Sequence, residues 1–169
     1  MDQSQCLFCG IVAGKIPAKK VYEDEHTIGF LDINPRNPGH TLVIPKKHFE
    51  TILDMPEKDV GRLFESVQKV AVMVKNGTNS QGLSIGQSNG QAAGQVVRHV
   101  HVHVIPRFAN EGPVGLEGIL PSKKIDDGSM DKIALSIKSA SHAHHSNKEE
   151  EHAKPEKKSK KPDDIDFEF

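Results

Sequence analysis

An α+β domain with a mainly antiparallel sheet, one long helix and a short C-terminal helix is the fold the sequence predicts. Several short stretches rich in Val, Ile, Thr and Phe are bounded by Gly, Pro, Asn or Asp. One long segment, after Pro56, keeps a three- and four-residue apolar rhythm. No regular helical crossovers separate the strand-like stretches, which argues against a parallel sheet.

Lys20 to Glu23 and Thr27 to Asp32 read as two strands, with Asp24-Glu25 as the hairpin turn between them. Asn34-Pro-Arg-Asn-Pro-Gly39 is a turn-rich loop. Thr41-Leu-Val-Ile44 is a strand stopped by Pro45. Asp54 ahead of Pro56 marks a helix start. Val60, Leu63, Phe64, Val67, Val70, Ala71 and Val74 then form one apolar stripe to about Lys75, and Asn76-Gly77 supplies the stop. Leu83 to Gln87 is a strand, Asn89 to Gly94 a Gly/Ala-rich loop, and His99 to Ile105 the last strand. Met130 to Ala140 reads as a short terminal helix.

The chain has 169 residues, 22 Lys+Arg against 23 Asp+Glu, no Trp, one Tyr and 36% hydrophobic residues. The near-neutral balance argues against a nucleic-acid binder that works by bulk positive charge. No apolar run is long enough to span a membrane, and the polar start Met1 to Gln5 carries no signal-peptide pattern. Two cysteines, Cys6 and Cys9, make no secreted disulfide framework, so a reducing compartment, the cytoplasm, is expected. Composition shifts near residue 141: Ser141 to Phe169 holds 6 Lys and 8 acidic residues, with only Ile165, Phe167 and Phe169 large and apolar. Such a stretch cannot bury enough apolar surface to offset its ordering entropy. The expected organisation is a domain over 1–140 and a charged, disordered tail over 141–169. The last residues, Asp163 to Phe169, alternate acidic and apolar and suit a docking peptide for a protein partner.

The most informative segment is His99-Val-His-Val-His103. A strand sends alternate side chains to opposite faces, so His99, His101 and His103 fall on one side and Val100, Val102 and Val104 on the other. A solvated polar face accounts for one such histidine better than for three in strict alternation beside a glycine-rich loop. Imidazoles ionise near pH ~6.5, which suits nucleophilic, acid/base or metal chemistry at neutral pH.

These residues resemble the histidine triad (HIT) superfamily, whose motif is His-φ-His-φ-His-φ-φ with φ apolar; here it reads His99-Val-His-Val-His-Val-Ile105. The likeness extends to Gly94-Gln95, Pro106-Arg107, Phe30-Leu-Asp-Ile-Asn-Pro35, Gly39-His-Thr-Leu-Val-Ile-Pro-Lys-Lys-His48 and Cys6-Leu-Phe-Cys-Gly-Ile-Val12. It covers roughly residues 6 to 108 and is nearest the Hint and bacterial/archaeal branch. The resemblance implies a HIT-like fold, a homodimer, and a nucleotidyl hydrolase or phosphoramidase acting at the α-phosphate of purine nucleotide conjugates. His101 would be the nucleophile, forming a nucleotidyl-imidazole intermediate. His103 would donate to phosphate oxygens, and His99 and His40 would complete the catalytic set. Asp32 matches the ribose-binding carboxylate; Leu7, Phe8, Phe30 and Ile33 match the clamp around the base. Ser88 or Asn89 would stand near the ribose, and Gly94, Gln95 and the backbone of Val96 would cradle the phosphate. Val96 departs from the serine of Hint proteins, and their C-terminal Trp is absent. Some relatives hold a structural zinc with residues matching Cys6, Cys9, His48 and His99, a closed Cys2His2 set needing no organic cofactor. The alternatives are a dinucleoside polyphosphate hydrolase, or a nucleotide-binding adaptor whose catalysis is vestigial.

Overall fold

The computed structural model describes residues 5–111 and 123–152, the last twelve of these as backbone only. The chain falls into two compact units, Met1–Ile119 and Leu120–Phe169.

The first unit is built on one five-stranded sheet. Its strands are β1 (Lys20–Glu23), β2 (Thr27–Leu31), β3 (Thr41–Pro45), β4 (Gly82–Gly86) and β5 (Val102–Arg107). They lie in the order β1-β2-β3-β5-β4, and every neighbouring pair is antiparallel. The period-2 pattern sorts two cores. Val43, Val100, Val102 and Val104 pack against Leu63, Val67, Val70 and Val74 of helix α2 (Glu57–Thr78). Ile28, Phe30, Leu42 and Ile44 pack on the other face with Phe8 and Ile11 of helix α1 (Leu7–Val12). α1 is too short to carry a helical rhythm and was not expected from the sequence.

Asp24 closes the β1–β2 hairpin. One carboxylate oxygen accepts from the backbone N–H of His26 (2.8 Å) and of Thr27 (2.7 Å). The other accepts from the hydroxyls of Tyr22 (2.7 Å) and of Ser66 on α2 (2.9 Å). Burial acts to raise the Asp24 pKa, but these four donors outweigh it and hold the group down at about 2. Before α2, Thr51 and Asp54 form a capping box around a single 3₁₀ turn, and the helix proper starts at Glu57. It runs through the expected stop at Asn76-Gly77 and ends where Asn79 turns left-handed at φ 54°. A helix tolerates an interior Gly at a cost of about 1 kcal/mol, and Asn serves as a C-terminal cap when Gly does not. Phe64 does not join the buried stripe; it is 42% exposed.

β5 begins at Val102 rather than His99. The β3 ladder reaches β5 only from Thr41 to Val43. Pro45 has no N–H to extend it, and the Val100 N–H goes to Phe49 O at 2.8 Å instead. Alternation nevertheless persists, with Val100 fully buried among the α2-side residues.

In the second unit Asp126 caps α3 (Asp127–His152) through the Ser129 N–H at 2.9 Å. This helix runs past Ala140, where unstructured chain was expected. Ser141 to Ala153 has no proline or glycine and is rich in residues that favour or tolerate helix, so nothing local stops it. The docking peptide at 163–169 lies outside the described residues. Among the described residues no helix is long and apolar enough to cross a membrane.

Candidate functional site

The three alternating histidines serve two sites, both on the α1 side of the sheet. His99 is fully buried in a cluster with Cys6, Cys9 and His48, and it does not line the main cavity. His101 and His103 do line it, with ring centroids 5.1 Å apart.

In the first cluster Nδ1 of His99 lies 3.5 Å from Cys6 Sγ and 3.6 Å from Cys9 Sγ. Nδ1 of His48 lies 3.3 Å from Cys9 Sγ. Bond lengths of about 2.3 Å to sulfur and 2.0–2.1 Å to nitrogen, at a tetrahedral angle, put S and N about 3.5 Å apart. The cluster is therefore already spaced for a tetrahedral zinc. The second layer agrees: His99 Nε2 donates to the carbonyl of Pro45 at 2.9 Å, which turns the Nδ1 lone pair toward the thiols. Burial, then the neighbouring Cys6 thiol, push Cys9 up to about 11, so without a cation its sulfur stays protonated. Burial also drives His99 down to about 4, keeping it a neutral ligand.

The second site is a cavity of about 710 Å³. Its position follows from the sheet order: Phe30, Leu31 and Asp32 come from β2 and its end, His40 and Leu42 from β3, His103 and Ile105 from β5, and Ser84 and Gly86 from β4. α1 roofs one end with Leu7, Phe8 and Ile11. Phe8 is the pivot, edge-on to Phe30 at 5.6 Å and to His101 at 5.3 Å.

His101 Nδ1 lies 2.7 Å from the carbonyl of His99. A carbonyl only accepts, so Nδ1 carries the proton and the neutral ring presents a bare Nε2. His103 Nδ1 meets His40 Nε2 at 2.9 Å. Burial, followed by the neighbouring imidazoles His101 and His40, holds His103 down at about 4; burial also lowers His40. Both rings are therefore neutral near pH 7. His40 Nδ1 is 3.5 Å from the Asp32 carboxylate. Asp32, His40 and His103 thus bring three ligand-type atoms together as well, but two are already committed to the imidazole–imidazole hydrogen bond.

Of the residues expected around a nucleotide, Leu7, Phe8, Phe30, Asp32, Ile33, Ser88, Gly94 and Val96 line this cavity. Asn89 and Gln95 do not. Asn89 Oδ1 accepts from the Ile52 N–H at 2.9 Å. Gln95 braces its own loop, accepting from Gly90 N–H at 2.7 Å and donating to Glu50 O at 2.7 Å. Their polar groups are engaged in holding the 86–97 segment, which the family resemblance does not show. Gly94 adopts φ 84°, and its N–H and that of Gln95 are spent on Gln91 O and Gly90 O. Val96, 90% exposed, stands at the cavity wall. The sequence reading missed the loop residues Ile16, Pro17 and Arg36, and also Ser84 to Gly86 of β4, which the sheet order brings to the cavity beside β5.

Comparison with known proteins identifies the family. The HIT domain family model matches residues 13–110. An uncharacterised HIT-like protein of Methanocaldococcus jannaschii is 47% identical over 122 residues, covering 72% of this chain and 94% of its own length. An adenosine 5′-monophosphoramidase of Candida albicans is 33% identical, covering 81% and 91%. A crystal structure from Streptococcus mutans superposes with TM-score 0.74 at 40% identity, over 83% of this chain and 86% of that one. A zinc-bound histidine triad family protein of Mycobacterium smegmatis superposes with TM-score 0.62 at 34% identity, over 82% and 99%. With the antiparallel sheet, the paired His101 and His103 and a family match over most of the first unit, the chain belongs to the histidine triad (HIT) family.

Proposed function

We propose that the protein is a nucleotidyl hydrolase that cleaves at the α-phosphate of purine nucleotide conjugates, with 5′-phosphoramidates as the substrate class. The observation that carries this reading is the His101 ring: its Nδ1–H is anchored on the His99 carbonyl at 2.7 Å, and Nε2 is left as a lone pair at a cavity wall. That is the state a nucleophilic imidazole needs. Nε2 attacks phosphorus, the P–N bond to the leaving group breaks, and the amine takes a proton from solvent as it departs. Water then cleaves the N–P bond of the nucleotidyl-His101 intermediate and releases the nucleoside monophosphate. His103 donates to the phosphoryl oxygens as charge grows on them. Asp32 takes the ribose hydroxyls, Ser88 borders them, and Phe8, Phe30, Leu7 and Ile33 enclose the base. The phosphate cradle is left to the Gly94 turn and the Val96 N–H, because the neighbouring amides serve the loop. The name of the Candida albicans relative supports the substrate class.

Zinc is held by Cys6, Cys9, His48 and His99, whose spacing fits a closed structural site, and the zinc-bound Mycobacterium smegmatis relative supports it. When bound, the ion links α1 to the segment before β5 and takes no part in the chemistry. The protein works as a homodimer in the cytoplasm. β4 is an edge strand, and Phe64, Val72 and Ile85 beside it form an exposed apolar face suited to a second copy.

Mass spectrometry of protein quenched during turnover of an adenosine 5′-phosphoramidate tests this reading. A mononucleotide adduct on His101, absent in His101→Ala, is the expected result. Faster turnover of a diadenosine polyphosphate would move the substrate class to dinucleotides. AMP binding with no turnover of any conjugate would leave a nucleotide-binding adaptor.

A further inference from the structure

The His40–His103 contact has a direction that the rings alone do not set. Two imidazoles sharing one proton at 2.9 Å can be ordered either way. The order is decided at the other end of His40, where Nδ1 has two neighbours. The backbone N–H of Arg36 points at it from 3.2 Å. The Asp32 carboxylate lies 3.5 Å away. The two make opposite demands: an N–H requires a bare Nδ1, whereas a carboxylate rewards a protonated one.

Geometry favours the amide. It is the closer neighbour and meets hydrogen-bond criteria, whereas 3.5 Å is the outer edge for a carboxylate contact. The Asp32 oxygen that faces His40 is Oδ2, while Oδ1 accepts from the Asn34 N–H at 2.9 Å. The amide is held in place independently of His40's ring. Asn37 Nδ2 donates to Pro106 O on β5 at 2.7 Å, and Asn37 O accepts the His40 N–H at 3.0 Å. The loop therefore closes around a ring only 2% exposed.

We propose that the backbone N–H of Arg36 is a positioning group: by donating to His40 Nδ1 it places the His40 proton on Nε2, which makes His103 Nδ1 an acceptor and His103 Nε2–H a fixed donor into the cavity. The rate consequence rests on the hydrolase reading above; the protonation pattern does not. Reversal of the chain, with Nδ1–H aimed at Asp32, would give His103 a bare Nε2 facing a phosphoryl oxygen, two acceptors opposed. The loop from Asn34 to Gly39 thus acts on the phosphate through two rings, by way of a backbone amide.

The test is ¹⁵N-histidine NMR on the full chain without substrate, with His40 assigned by the signal missing in His40→Gln. The expected spectrum has His40 and His103 both protonated on Nε2 and bare on Nδ1; a His40 proton on Nδ1 overturns the proposal whatever the activity. Arg36→Pro deletes the N–H, whereas Arg36→Ala keeps it. In Arg36→Pro the His40 proton should move to Nδ1, and kcat/KM on a phosphoramidate should fall on the order of 100-fold below Arg36→Ala, the scale of one acid–base group. Equal rates for the two variants, or an unmoved proton in Arg36→Pro, would refute it. If Arg36→Pro does not fold, the wild-type spectrum alone decides. If the wild type turns over no conjugate, the hydrolase reading fails while the spectrum still judges this one.

Discussion

Gly39→Ala tests how the loop places His40. Gly39 has φ +93°, and a Cβ built there would lie 2.5 Å from Thr78 Cγ2 at the end of α2. Two costs combine. An L-residue held at such a φ costs on the order of 1–2 kcal/mol. Relieving the overlap requires a shift of about 1 Å in a packed contact, typically another ~1–3 kcal/mol. Urea denaturation should therefore show a loss of about 2–5 kcal/mol. The two parts separate with Thr78→Ser, which removes the offending methyl but keeps the hydroxyl that donates to Val74 O at 2.7 Å. Alone, Thr78→Ser should cost under about 1 kcal/mol. Combined with Gly39→Ala it should recover the overlap cost, giving a favourable coupling of about 1–2 kcal/mol. The φ strain should remain. Because residue 39 adjoins His40, nucleotide hydrolysis should stay impaired in the double variant. A loss below about 1 kcal/mol, or no coupling, would show that the loop moves freely and that its conformation does not hold the histidine.

Other outcomes follow from single groups. Asp24→Asn should destabilise by about 2–3 kcal/mol in urea melts at pH 7, because an amide cannot accept from all four donors. The Asp24 carboxylate is depressed to about 2, so its contribution is complete above its ordinary value of 3.8 and disappears as pH falls through 2. Asp24→Asn should flatten wild-type stability in that window. His103 is depressed to about 4 from 6.5, so the unfolded chain binds its proton first; its share of the stability, up to about 3 kcal/mol, should be lost as pH drops from 6.5 to 4, and His103→Gln should reduce that slope while the share of His99, also held at about 4, remains. With Cys9 raised to about 11, zinc uptake at pH 7 must expel its proton, so apparent affinity should rise about tenfold or more per pH unit in calorimetry; a pH-independent affinity would exclude Cys9 as a ligand.

How legible the molecule was depends on whether a feature repeats along the chain. The β strands and α2 were readable because Val100, Val102 and Val104 recur every second residue and Leu63, Val67, Val70 and Val74 every third or fourth. α1 spans six residues, too few for a period, and its helix is defined by Phe8 and Ile11 meeting Phe30 and Leu42 across the sheet. The alternation of His99, His101 and His103 was legible from the residues, whereas the grouping of His99 with Cys6 and Cys9, ninety or more residues earlier, came only from the family resemblance. Asn89 and Gln95 were expected at the nucleotide from the family resemblance, which does not reveal which hydrogen bonds the loop consumes. The Arg36 N–H leaves no mark in the sequence, since every residue but proline has one.

The division of the three rings explains why the motif needs them at this spacing. His99 is used twice. Its side chain binds Pro45 O and faces both thiols, while its carbonyl accepts from His101. A carbonyl fixes a proton only if it is itself fixed, and the side chain of the same residue is what anchors it to α1 and β3. One position further along the strand the ring would point to the α2 core, where Val100 and Val102 are fully buried. Four positions on, His103 lies outside the thiol cluster and takes its orientation from His40 instead. Each ring therefore has its proton placed by a partner from a different part of the chain: Pro45 for the first, the backbone of His99 for the second, His40 for the third. Loss of the thiol cluster should accordingly loosen His101 before it disturbs His103. Cys6→Ser should broaden the His101 imidazole resonances while those of His40 and His103 stay sharp; equal broadening of all three would mean that the cluster supports the fold as a whole and not the nucleophile in particular.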